Sequence, residues 1–145
     1  MDEIHYEDLA AGQTTEFGEY EVTRDEIVRF ARQYDPQPFH VDEEAAAGSM
    51  FGDLVASGWH TCAMTMRMLV DNHLSDSAVL GAFGVDKLRW PTPVRPGDTL
   101  SIRTEVLDRE PYDEGRGLVR TAVVTTNQDD EVVLSMESKV LYARR

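Results

Sequence analysis

In the second half of the chain, apolar and polar residues alternate. Leu100, Ile102, Thr104 and Val106 interleave with Arg103 and Glu105, the period of a half-buried strand. The same alternation predicts strands over 118–127 and 132–142, separated by the polar turn Gln128-Asp129-Asp130. Residues 79–90 are apolar enough to predict a central strand, and Pro93-Val94-Arg95-Pro96-Gly97-Asp98 reads as a turn between strands. In the first half, residues 1–16 are polar and expected to be loose, and 17–22 form a short strand. Thr23-Arg24-Asp25-Glu26 then has the form of a capping box. Ile27, Phe30, Ala31 and Tyr34 follow at i, i+3, i+4 and i+7, one face of a helix that Asp35-Pro36 ends. Asp42 can cap a short helix through Ala47, which Gly48 stops. Residues 58–74 carry almost no polar face, so they predict a helix buried nearly all round. No repeat or linker interrupts the pattern. The implied architecture is one α+β domain over residues 1–145, a curved antiparallel sheet wrapped around a single long apolar helix.

Composition fits that picture. A chain of 145 residues, 41% hydrophobic and 28% charged, can bury a sizeable core. No apolar run reaches the roughly 20 residues of a membrane span. The amino terminus Met1-Asp2-Glu3-Ile4-His5 is acidic where a secretory signal would be basic, so a soluble, cytoplasmic protein is expected. The lone Cys62 excludes an internal disulfide. With 27 acidic residues against 14 basic ones the net charge is -13, which argues against a nucleic-acid partner. Only Lys87 and Lys139 are lysines. That balance fits either adaptation to concentrated salt or a genome favouring arginine codons.

The strongest candidate chemistry is Asp35-Pro36-Gln37-Pro38-Phe39-His40-Val41-Asp42. A carboxylate and an imidazole lie five residues apart on a segment stiffened by two prolines, suited to activating a water. The residues alone also allow Asp35 to be a helix terminator and His40 a satisfied loop histidine. Asp42 reads as a cap and His60 as a packed histidine. His5 and His73 have no visible partner. Cys62, within the apolar helix, is expected to be inert. Ser57 lacks the Gly-x-Ser-x-Gly context of an acyl-transfer serine. Neither metal-ligand spacing nor a phosphate-binding glycine loop is present.

Asp-x-x-Pro-x-His-x-Asp, followed by a small-residue helix, Phe51 and Ser57-Gly58 opening an apolar helix, resembles the MaoC-like dehydratases, the (R)-specific enoyl-CoA hydratases. The later Val94-Arg95-Pro96-Gly97-Asp98 turn is also similar. The resemblance implies the hot-dog fold and reversible syn hydration of a trans-2-enoyl thioester. Asp35 and His40 would hold one water between them, and the Gly58 N–H would polarise the thioester carbonyl. Such an amide is an unpaired donor in a positive dipole, and the missing side chain lets a ligand approach closely. Gln37, Phe51, Ser57 and Trp59 would contact substrate. Gln37 stands where many members have Asn, and Trp59 and His60 where smaller residues are common, which bears on substrate shape. The resemblance implies no metal or redox cofactor, with coenzyme A entering as part of the substrate. Arg67, Arg89 and Arg95 are candidates to offset its phosphates, and a homodimer is expected. A thioesterase on the same fold and a silent acyl-thioester binding protein are the alternatives.

Overall fold

The computed structural model describes residues 3–145; Met1 and Asp2 of the acidic amino terminus lie outside the described residues. Five antiparallel strands form one sheet: β1 (Thr14–Glu21), β2 (Val79–Arg89), β3 (Thr99–Pro111), β4 (Arg116–Thr126) and β5 (Val132–Ala143). Their spatial order is β1-β3-β4-β5-β2. Four helices, α1 (Arg24–Tyr34), α2 (Pro38–Val41), α3 (Glu43–Ala47) and α4 (Gly58–Asn72), all fall between β1 and β2. The sheet curves over α4, whose Met64, Met68 and Leu69 are buried in the same core as Leu100, Ile102, Val123, Leu134 and Met136. Each such side chain stabilises the fold by roughly 1.5–3 kcal/mol relative to exposure. A buried hydrogen bond of 2.8 Å between the Thr65 and Thr125 hydroxyls joins helix to sheet within this core, satisfying two groups that would otherwise be costly to bury. β1 bends over α4 at Gly18, where φ is +93° and a Cβ would lie 2.6 Å from Met68 Sδ.

The ends of α1 follow the sequence. The Thr23 hydroxyl accepts from the Glu26 N–H at 3.3 Å, Ile27 and Ala31 are fully buried, and Asp35 is the C-cap. Only half of the capping box forms, because the Glu26 carboxylate turns instead to the Tyr20 hydroxyl and to His60 Nε2. Tyr34 is exposed.

Three expectations are corrected. Residues 3–16 are not loose: Tyr6 and Leu9 are buried in a second apolar cluster with Val106, Val119 and Tyr142, and β1 begins at Thr14. Val79–Arg89 is an edge strand rather than a central one, pairing only with β5. Its Leu80, Phe83 and Val85 are exposed. α4 is also incompletely covered, since Trp59, Met66 and Val70 are exposed. High apolar content predicts that a surface will be buried without saying by what.

Two histidines couple this packing to pH. Burial holds the imidazoles of His60 and His73 below the usual histidine range, in His60 against the opposing pull of Glu26 and in His73 against that of Asp76. The unfolded chain takes up protons near pH 6.5 that the folded chain refuses. Their contribution is therefore complete above that pH and declines as pH falls through it. Thermal unfolding followed from about pH 7.5 to 5.5 should show a falling midpoint, with a shallower slope in His73→Gln.

Candidate active site

The segment between α1 and α4 builds the site. Asp35 ends α1 immediately before Pro36, and Pro38 opens α2, where its missing N–H costs nothing. This single turn turns His40 inward to 6% exposure, so His40 is not a loop histidine. Asp42 then caps α3, accepting from the N–H groups of Glu44 (2.9 Å) and Ala45 (3.2 Å), which accounts for that carboxylate.

Asp35 is held from three sides. Gln37 Nε2 donates to Oδ1 at 2.6 Å, the Ser57 hydroxyl donates to Oδ2 at 2.7 Å, and His40 Nε2 lies 3.4 Å from Oδ2. Burial raises the Asp35 pKa, but the hydrogen bonds from Ser57 and Gln37 and the nearby His40 outweigh it, leaving the carboxyl below its ordinary value. Asp35 is thus ionised at neutral pH.

The partner of the other His40 nitrogen fixes its tautomer. Nδ1 is 2.7 Å from the Val55 carbonyl, which can only accept, so Nδ1 carries the proton. In the neutral ring Nε2 is then a bare lone pair facing a carboxylate oxygen at 3.4 Å. Two acceptors so placed are complementary to a molecule with two protons to give, such as water.

Next to this pair, Ser57 caps α4. Its hydroxyl accepts from the Trp59 N–H at 3.3 Å, and its carbonyl accepts from His60 (2.9 Å) and Thr61 (3.1 Å). Among the described residues the Gly58 N–H has no acceptor, as expected for a first-turn amide at the positive end of a helix.

Asp35, Gln37, His40, Phe51, Ser57, Gly58 and Trp59 all line one cavity of about 630 Å³. Phe39, Met50, Thr61, Trp90 and Arg95 complete much of its wall. Of the three arginines proposed for phosphate, only Arg95 is there, its guanidinium donating to the Phe51 carbonyl at 3.0 Å. Arg67 pairs with Asp71 at 2.9 Å outside this cavity, and Arg89 is exposed and donates to the Leu88 carbonyl. His60 is buried between Glu26 and the Phe30 ring and does not reach the cavity. Burial pushes the Cys62 thiol up, consistent with an inert side chain. Among the described residues no group of three or more His, Cys, Asp or Glu is arranged to hold a metal ion.

Trp90, which no motif in the sequence marks as a site residue, changes the reason for glycine at position 58. The space a Cβ would fill is not open for a ligand: it is occupied by the Trp90 indole, whose Cδ2 would lie 2.5 Å away. Trp59 packs edge-on against that ring at 5.3 Å. The only sequence signal was an indole immediately preceding Pro91-Thr92-Pro93.

A five-stranded antiparallel sheet wrapped on one helix, with the polar site at that helix's amino end, defines a hot-dog protein. Residues 8–128 match the family described as the MaoC like domain, and the chain belongs to this family of dehydratases. It is 43% identical to the MaoC-like dehydratase of Rhodospirillum rubrum, whose crystal structure superposes with a TM-score of 0.90 over 98% of each chain. It is 31% identical over 143 residues to a 3-hydroxybutyryl-CoA dehydratase of Methylorubrum extorquens, spanning 98% of this chain and 86% of that one. An R-hydratase of Pseudomonas aeruginosa is 26% identical, with a TM-score of 0.80 over 99% of this chain and 88% of that one.

Because the Ser57 hydroxyl serves both Asp35 and the helix cap, Ser57→Ala should raise the Asp35 pKa and cost about 0.5–2 kcal/mol of stability. Carboxyl NMR titration and denaturant unfolding check the two effects separately.

Proposed function

We propose that the protein adds water reversibly to a trans-2-enoyl thioester, giving the (R)-3-hydroxyacyl thioester. The observation that carries this reading is Nε2 of His40 facing Asp35 Oδ2 at 3.4 Å, beside the unpaired Gly58 N–H. A water donating one hydrogen to Nε2 and one to Asp35 Oδ2 is aimed by both. Nε2 takes a proton as the water oxygen bonds to C3, and the displaced π electrons move onto the thioester oxygen. The Gly58 amide, reinforced by the dipole of α4, stabilises that enolate oxygen. The imidazolium then returns its proton to C2 from the same face, so both additions are syn and the enzyme ends as it began. Asp35 holds the water and balances the imidazolium charge. The (R) configuration is what the resemblance to the P. aeruginosa R-hydratase supports. Coenzyme A is the proposed carrier, in line with the M. extorquens relative's name, and Arg95 supplies positive charge at the cavity wall.

The proposed assembly is a homodimer. β2 leaves one edge of the sheet unpaired, with Leu80, Phe83 and Val85 exposed on it, and α4 adds Met66 and Val70. Exposed apolar side chains on an open strand edge suit pairing with a second copy.

Mixing the protein with crotonyl-CoA should remove the enoyl absorbance and yield the (R)-hydroxy product on a chiral column. Asp35→Asn and His40→Ala should each lower kcat by about 10²–10⁴-fold with circular dichroism unchanged. Free thiol released without loss of the double bond would instead indicate a thioesterase, and saturable binding without turnover a binding protein. Light scattering should give a dimer, and Leu80→Asp with Val85→Asp a monomer.

A further inference from the structure

The contacts around the cavity run in a sequence that separates its two ends. Arg95 holds the Phe51 carbonyl, Phe51 lies 5.3 Å from the Phe39 ring, and Phe39 packs against His40 at 4.5 Å. His40 faces Asp35, Asp35 is held by Ser57, and Gly58 follows with Trp90 on its Cα. The Ala56 N–H donates to the Val94 carbonyl at 2.8 Å, so residues 90–95 run beside 54–58 and place Trp90 and Arg95 at opposite ends. An anionic carrier is favoured at the Arg95 end. The acyl tail is then left to the end where the indoles of Trp90 and Trp59 meet edge to face at 5.3 Å and 79°.

From this arrangement we infer that Trp90 sets the length of acyl chain the site admits, making short-chain enoyl thioesters the preferred substrates. The inference rests on the hydratase reading above. Trp90 lies against Gly58 so closely that no Cβ fits between them, and Trp59 braces it from the side. An indole is large and has only two side-chain torsions, so it cannot thread aside for a longer chain as a methionine can. A chain that extends past the reacting carbons at this end meets the Trp90 ring, which is half-exposed and held by Gly58 and Trp59. Discrimination at an apolar wall of this kind is on the order of 10–200-fold per unit of misfit.

The test compares kcat/KM for crotonyl-, hexenoyl- and octenoyl-CoA in the wild type, Trp90→Phe and Trp90→Ala. The expected result is a wild-type preference for crotonyl over octenoyl thioester that falls by about 10-fold or more in Trp90→Ala, with Trp90→Phe between them. Ratios in both variants equal to the wild type's would overturn the role of Trp90 while leaving the hydratase reading intact. So would a wild type that hydrates octenoyl-CoA as readily as crotonyl-CoA. Hydration of none of the three by folded wild type would remove the hydratase reading and the length rule together. Should Trp90→Ala fail to fold, the wild-type to Trp90→Phe ratio decides.

Discussion

The Ser57 hydroxyl is the joint on which the site turns. It donates to Asp35 Oδ2 and accepts the Trp59 N–H, so one buried oxygen ties the end of α1 to the start of α4. Fully buried, it has no water with which to exchange either bond. The distance between the carboxylate and the Gly58 amide is thereby set by the protein's interior, before any ligand arrives. His40 is fixed in the same way, through the Val55 carbonyl on the strap leading into Ser57. Three groups from two helices and a single turn are thus referred to one short stretch of backbone, the form of preorganisation that makes electrostatic catalysis effective.

What the sequence made legible was whatever depended on local chemistry. The face of α1, the Asp42 cap and the alternation in β3, β4 and β5 follow from residues close in the chain, and so does the Asp35–His40 spacing. What it hid depends on contacts between distant segments. α2, with four residues, is too short to show a period. The edge position of β2 is invisible because a strand rich in apolar side chains reads alike whether one flank or both are paired. Tyr6 looked like part of a polar tail, yet its ring is covered by Arg109 at 4.5 Å and sits in the second apolar cluster. Gly58 is legible for its backbone role, whereas the indole that makes glycine necessary there belongs to Trp90, the residue that follows β2.

The charge of the chain adds a constraint of its own. With a net charge of -13, the surface field opposes an anionic thioester at long range, although salt screens it beyond roughly 8 Å. Most of the arginines with close carboxylates, such as Arg116 with Asp113 and Arg120 with Asp108, are already neutralised locally. Arg95 differs: its guanidinium has no carboxylate in an ion pair among the described residues and rests on the Phe51 carbonyl at the cavity wall.

The placement of the indoles carries one more consequence. Trp59 and Trp90 are the chain's two tryptophans, and both stand on the wall of the same cavity in contact with each other. The protein's entire intrinsic indole fluorescence therefore originates within a few ångströms of Gly58. The folded chain is a label-free optical reporter of occupancy at that site, and its emission is silent about events on the far side of the sheet.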